Sequence, residues 1–516
     1  MSVRRVRSEI LRRWLWPALA GGLTSLGFAP ASAPVATLGG VAMLIALLRR
    51  QASDGDRFRT SAAAGLLYGL GFAVPLLWWM RVVSPGAHVA LAVAQAVVIA
   101  VSIVAVRVVI ALPGWPIWAT GVWVAAEYLR SSYPFGGFPW GRLAYATLDT
   151  PMESYVRMVG MAATSGVVFL AAAGVAYMTS APGLRRTGSA LVGVGCVLGA
   201  GVALPVGVAA QSGVTSLAVV QGDVPVLFAP WPQREIFDKH VAATQELVRA
   251  IDAGEAPQPR MVLWPENSLD FDPLDDPAAS AQLSDLARNL NAPILIGAIL
   301  DGPSPTTALN AGIVWTSDGP TARYTKRKLV PFGEYVPFRQ SLQGLVPRFG
   351  REIPRDMIPG PRQGPIDIGG VRVGDTICWD IAHDNVVRDV VRAGAQLLVV
   401  QTSNASFTGT AQPEQQWQIS RLRAIETGRA VVVPSTNGIS GVIDAQGEVI
   451  ARLPAQEATF ASADVELADG ITPGVRWGWP LQLGSMLIGT FGLLWAGSRA
   501  WKRGKPPRPV PTNSST

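Results

Sequence analysis

The sequence predicts a polytopic α-helical membrane protein with an α/β domain inserted before its last span. Three observations predict this. Apolar runs of about the 20 residues that a bilayer-crossing helix needs follow one another to about residue 210 and return at 478–498. Charge is partitioned: residues 1–212 carry 16 Arg, no Lys and 6 acids, residues 213–498 carry 22 Lys and Arg against 30 acids, and residues 499–516 carry 5 basic residues and no acid. Between the last two apolar runs, short β-branched segments alternate with helical patterns. Only 15% of residues are charged, against about 25% in a soluble domain. The 49% hydrophobic content excludes a disordered chain, and two cysteines exclude a disulfide scaffold. The net +7 is a sum over unlike regions, so it does not call for a nucleic-acid partner.

Eight spans are expected, at about 14–31, 34–48, 61–80, 86–106, 108–128, 158–180, 188–210 and 478–498. Orientation follows from flanking basic residues. Arg4, Arg5, Arg7, Arg12 and Arg13 precede span 1, Arg49, Arg50, Arg57 and Arg59 lie between spans 2 and 3, Arg107 joins spans 4 and 5, and Arg185 and Arg186 lie between spans 6 and 7. With eight spans these fall on one side with Arg499, Lys502, Arg503, Lys505 and Arg508, leaving Arg81, Arg130, Arg142 and Arg157 opposite. Both termini are therefore expected in the cytoplasm. The expected organisation is residues 1–212 as seven spans, 213–472 as an extracytoplasmic domain, 473–499 as the eighth span and 500–516 as a basic, disordered tail. The loop at about 129–157 carries Tyr133-Pro-Phe-Gly-Gly-Phe-Pro-Trp140. It suits either a packing surface under the outer domain or the edge of a lipid entry.

In the inserted domain, strands are expected near 216–221, 261–264, 293–299, 311–315, 372–377, 396–400, 430–433 and 441–443, and helices near 234–252, 277–290, 384–393 and 413–427. No glycine-rich phosphate loop or dinucleotide fingerprint occurs. Three segments carry chemistry. Leu263-Trp-Pro-Glu-Asn267 ends an apolar strand on a carboxylate placed for partial burial, which favours a base near neutral pH. Tyr324-Thr-Lys326-Arg-Lys328-Leu-Val-Pro-Phe-Gly-Glu334-Tyr-Val-Pro337 runs a cationic stretch into a rigid turn, where a lysine can meet an oxyanion. Val373-Gly-Asp-Thr-Ile-Cys378-Trp-Asp380 places a thiol just after a strand. Cys196 lies in an apolar span and offers no disulfide. With only His88, His240 and His383 available, a Cys–His pair would need His240 or His383, and His383 reads as a surface or capping residue. The scarcity of histidine also argues against zinc. Glu–Lys–Cys is the better-supported set.

At these residues the chain resembles the nitrilase, or carbon–nitrogen hydrolase, superfamily. With its spans it is similar throughout to the membrane-embedded apolipoprotein N-acyltransferase family. The most specific match is Lys326-Arg-Lys-Leu-Val-Pro-Phe-Gly-Glu-Tyr-Val-Pro337. Val219-Val-Gln-Gly222, Ser403-Asn-Ala-Ser-Phe407 and Ser435-Thr-Asn-Gly438 match further segments. The resemblance implies an αββα sandwich for the inserted domain and Glu266, Lys326 and Cys378 as catalytic residues. It makes Glu334 a supporting acid, with Trp379 and Asp380 beside the nucleophile. It puts Trp231, Asn310, Tyr335, Ser403, Asn404 and Phe407 along the substrate path. No cofactor is implied. The implied acyl donor is a membrane phospholipid, and the implied acceptor is the α-amine of a diacylglyceryl-cysteine on an apolipoprotein, at a bacterial plasma membrane. The chain departs from the family in having Asp380 where a glutamate is usual, so any bond that carboxylate makes must be re-geared. It also has Ser403-Asn-Ala405 where an aspartate is usual. A membrane-anchored amidase using the same triad, with water as acceptor, and a transporter with an outer binding domain are the alternative readings.

Overall fold

The structure is a computed structural model that describes residues 14–56, 58–180, 195, 199, 201, 211–224, 234–342, 344, 348–362 and 364–503. The N-terminal half is a helical bundle: α1 (Trp16–Ser25), α2 (Pro34–Ser53), α3 (Phe58–Leu76), α4 (Pro85–Val109), α5 (Trp115–Ser132) and α6 (Ser154–Ser180). Proline occupies the first turn of α1, α2, α4 and α5, where its missing N–H leaves no bond unmade. Ser84 caps α4, its hydroxyl accepting from the Ala87 N–H at 3.0 Å. The fifth helix starts at Trp115 rather than 108, because Pro113-Gly114 interrupts the apolar run and Gly114 takes φ +67.

Among the described residues, the inserted domain supplies thirteen strands: β1 (Gln211–Gln221), β2 (Met261–Leu263), β3 (Ile294–Asp301), β4 (Thr307–Thr316), β5 (Gly319–Thr325), β6 (Asp356–Met357), β7 (Ile366–Ile368), β8 (Val371–Ile377), β9 (Leu397–Gln401), β10 (Val431–Val433), β11 (Gly441–Ile443), β12 (Val449–Arg452) and β13 (Thr459–Ala468). Its main helices are α7 (Glu235–Asp252), α8 (Pro277–Leu290), α9 (Asp384–Arg392) and α10 (Gln412–Thr427), and α11 (Pro473–Arg503) follows the domain. One sheet has the order β13-β1-β2-β3-β4-β5, with β6 beside β4; the other has the order β12-β11-β10-β9-β8-β7.

Side-chain alternation along each strand sorts the core into layers. Ala218, Val220, Val262, Trp264 and Ile296 pack with Phe237 and Leu247 of α7 and Leu283 and Leu286 of α8. Their neighbours Leu217, Val219, Leu263 and Leu295 face Val373, Ile377, Leu397 and Val432 of the second sheet. The outer face of that sheet, with α9 and α10, belongs to the same apolar cluster as the bundle. The order is thus helices, sheet, sheet, helices, and then membrane bundle.

α10 forms the joint. It reads QPEQQWQISRLRAIET, yet fourteen of its sixteen residues are buried. The reason is hydrogen bonding rather than apolar periodicity. Gln415 Nε2 donates to the carbonyls of Ala29 and Leu76, both at 3.1 Å, while its Oε1 accepts from the indoles of Trp79 (3.0 Å) and Trp140 (2.7 Å). One side chain thereby ties three stretches of the bundle to the helix layer of the sandwich.

Helices occupy seven of the eight expected spans, and 188–210 lies almost wholly outside the described residues. Four are long and apolar enough to cross a membrane: Pro34–Ser53, Pro85–Val109, Ser154–Met178 and Pro473–Trp501. These four support part of the eight-span expectation. α11 closes the bundle against α5 at Gly121 and Gly489, where a Cβ on Gly121 would lie 2.5 Å from the Gly489 nitrogen. Such small-residue contacts let helices approach in lipid. Leu487, Phe491 and Leu494 point outward from α11.

Candidate active site

The three candidate catalytic residues sit at the same end of the sandwich, each just past a strand. β2 ends at Leu263, and Trp264-Pro265 lead into Glu266, with Asn267 at φ +53. Gly297 of β3 makes room for this turn, since a Cβ there would lie 2.2 Å from the Pro265 carbonyl oxygen. Lys326 follows β5 directly, its N–H donating to the Asn310 carbonyl at 2.9 Å. Cys378 follows β8 directly and is held at φ +48, a left-handed conformation that costs a β-carbon residue energy and marks a sharp turn.

Lys326 Nζ lies 2.9 Å from Glu266 Oε1 and 2.9 Å from Glu334 Oε1. Asn310 Nδ2 donates to the same two oxygens at 2.8 and 3.1 Å. The outer oxygens are also occupied: Glu266 Oε2 accepts from the Ser403 N–H (3.0 Å), and Glu334 Oε2 from the Val330 N–H (2.7 Å). Glu266, Lys326 and Asn310 are at most 5% exposed, whereas Cys378 remains half-buried. Burial works against the Lys326 ammonium, but the Glu266 and Glu334 carboxylates outweigh it and hold its pKa well above the usual lysine value. Burial first, and Glu266 second, push the Cys378 thiol up to about 12, while Lys326 and a bond to Thr402 act the other way. The resting arrangement is a neutral thiol beside an ion-paired carboxylate.

Asp380 does the re-gearing that its shorter side chain demands. Its carboxylate accepts from the Tyr324 hydroxyl (2.7 Å), the Lys328 N–H (2.8 Å) and the N–H groups of Arg327 and Ile377 (both 3.3 Å). The Lys326 loop and the Cys378 turn are thereby stitched to one side chain.

The remaining candidates are spread around this centre. Asn310 belongs to the Glu–Lys network itself. Asn404 sits at φ +48 and accepts from the Thr402 hydroxyl at 3.0 Å. Tyr335 reaches the Phe135 carbonyl at 3.5 Å, and Phe407 packs edge-on against Trp79. Trp379 stacks on Trp140 with centroids 5.3 Å apart and planes 9° apart. Trp231 lies outside the described residues. His383 is a correction: it occupies the N-cap position of α9 but is only 5% exposed, and burial brings its pKa down to about 3. Two residues escaped the sequence reading. Thr402 acts to lower the pKa of the thiol, and Gln416 Nε2 donates to the Cys378 carbonyl at 3.3 Å. The cluster Gln412, Gln415, Gln416 and Gln418 beside a strand end was the available signal.

Two family models match the chain: an apolipoprotein N-acyltransferase N-terminal domain over residues 20–174 and a carbon–nitrogen hydrolase over residues 216–472. An apolipoprotein N-acyltransferase of Mycolicibacterium smegmatis is 36% identical, over 92% of this chain and 84% of the relative. The chain belongs to the apolipoprotein N-acyltransferase family. More distant apolipoprotein N-acyltransferases, from Vibrio vulnificus (26% identical) and Azotobacter vinelandii (28%), match over 92% of this chain and 95% and 96% of their own lengths. Among solved structures, a nitrilase-superfamily amidase from Nesterenkonia sp. AN1 aligns at 19% identity and a TM-score of 0.36, covering 53% of this chain and 96% of the amidase. For this apolipoprotein N-acyltransferase family member, the loop after α5 is as much part of the site as the sandwich. Trp140 backs Trp379, and Arg142 Nη1 meets both Asp384 carboxylate oxygens at 2.8 Å.

Proposed function

We propose that the chain N-acylates lipoproteins through a Cys378 thioester. The observation that carries the proposal is the Glu266–Lys326–Glu334–Asn310 hydrogen-bond network, next to a half-buried thiol on a strained turn, in a member of this family. Glu266 takes the thiol proton as sulfur attacks the ester carbonyl of a membrane phospholipid. Lys326 and the backbone N–H of Trp379 stabilise the tetrahedral oxyanion. Collapse breaks the C–O ester bond. The departing alkoxide recovers the proton from Glu266, giving a lysophospholipid and acyl-Cys378. The α-amine of a diacylglyceryl-cysteine then attacks the thioester and passes a proton to Glu266. The C–S bond breaks, and the proton returns to sulfur. Ester and amide bonds bracket the thioester, so no nucleotide is consumed.

The reading includes the chain's placement: a plasma-membrane protein with both termini in the cytoplasm and the sandwich outside. Both lipid-anchored substrates then meet the thiol at the outer leaflet. The test is intact mass after incubation with phospholipid. A fatty-acyl gain is expected, lost in Cys378→Ala and Glu266→Gln. N-acylation of a diacylated lipopeptide by Cys378→Ala would overturn the reading.

A further inference from the structure

The buried carboxyl of Asp375 has no place in the steps above. It lies on β8, three residues before the nucleophile, and is 1% exposed. It points between the two sheets at Gly312 of β4. A Cβ on Gly312 would lie 2.2 Å from Asp375 Oδ2 and 2.4 Å from Gln401 Oε1. The two oxygens therefore sit together over one glycine. Neither Asp375 oxygen has a well-aligned partner, and neither does Gln401 Oε1. The orientation of the Gln401 amide is fixed, because Nε2 donates to the Trp264 carbonyl at 2.7 Å. Reversing it would set two carbonyl-type oxygens against each other. Oε1 must therefore face Asp375. Two bare acceptors in a dry layer carry a desolvation cost that a single proton removes.

We propose that Asp375 is a positioning residue held as the neutral acid, donating its proton to Gln401 Oε1 so that Gln401 grips the Trp264 carbonyl two residues before Glu266. The proposal rests on Glu266 being the base. The groups facing Asp375 favour the same state. Asp380 from the turn after β8 and Glu266 from the end of β2 are both acids, and the Tyr324 hydroxyl on β5 also feels its charge. Burial, then Asp380 and Glu266, push the Asp375 pKa well above the usual carboxylate range, against weak help from the Thr376 N–H. An ionised Asp375 would turn an acceptor on Gln401, release the Trp264 carbonyl and let the base drift. A drift of about 1 Å costs on the order of 10²-fold in rate.

The test uses the full-length protein in detergent or nanodiscs. In infrared difference spectra at neutral pH, wild type minus Asp375→Asn is expected to show a carboxylic-acid C=O band. Gln401→Leu, which leaves Asp375 in place, is expected to shift that band. In single-turnover acylation from phospholipid, Asp375→Asn should stay within about threefold of wild type, because an amide N–H replaces the acid O–H. Asp375→Leu should fall on the order of 10²-fold. A wild type lacking the band, or an Asn variant as slow as the Leu variant, overturns the proposal. The band is read without turnover, so it stands or falls apart from the identity of the base, which Glu266→Gln tests.

Discussion

At neutral pH the Cys378 thiol keeps its proton, because burial and the Glu266 charge push its pKa up to about 12. This separates it from thiols that are activated by a standing positive partner. Two outcomes are expected. Alkylation by iodoacetamide should rise about tenfold per pH unit through pH 7–10 without levelling, and a plateau near the ordinary thiol value would contradict the arrangement. Glu266→Gln should slow acyl-enzyme formation by about 10²–10⁴-fold while the protein stays folded, since a glutamine can still accept at Oε1 from Lys326. Single-turnover mass spectrometry reads this directly. That Glu266, Lys326 and Cys378 come together was legible in the sequence: Glu266 and Cys378 each close an apolar strand beside a turn, and Lys326 stands in a cationic run that leads into a Pro- and Gly-bearing turn. The influence of Thr402 on Cys378 and the bond from Gln416 to its carbonyl were not, since they join segments through space with no local pattern to announce them. The burial of His383 was hidden for a related reason: its cover comes from the bundle, far away in sequence.

Among the elements, the turn after β8 carries the most consequence per residue. Asp380→Asn keeps the volume but exchanges one charged acceptor for a donor facing the Arg327 and Lys328 N–H groups. The expected result is a fall in kcat on the order of 10²-fold with little change in KM, read by steady-state acyl transfer to a lipopeptide. α10 offers a stability test. Gln415→Leu leaves two indole N–H groups and two carbonyls without their partner, at about 1–3 kcal/mol for each group that stays dry. A clear drop in the thermal midpoint in detergent is expected, and an unchanged midpoint would show that water replaces the glutamine. Sequence periodicity placed α7 to α10 within a residue or two. It missed β5, β6, β7 and β12, and it missed β13, whose TFASADVELA has a mostly half-exposed or exposed surface and pairs along β1 over ten residues. It could not foresee that polar α10 is an interior helix, because hydrogen bonds rather than apolar area bury it.

For the whole molecule, the sandwich is locked to the bundle by charge as well as by apolar contact. Asp384 is shared by Arg142 (2.8 Å) from the loop after α5 and Arg423 (2.7 Å) from α10. Burial alone would raise its pKa, but the two guanidinium groups outweigh this and hold it well below the usual carboxylate range. A lowered pKa means the stabilisation is complete above about pH 4 and is lost only as pH falls toward the lowered value. Arg142→Met should therefore cost on the order of 3 kcal/mol at neutral pH and much less in strong acid. Protease nicking of the loop after α5, followed across pH, checks both the size and the sign. The partition of charge along the chain anticipated two environments, but it did not reveal that they share one continuous core. That sharing bears on how the enzyme can be handled. Cut free at β1 and β13, the sandwich would bare Trp379 and Val387 to water. The bundle covers what would otherwise be an open apolar face of the sandwich, so the sandwich is expected to lose stability when the two are separated.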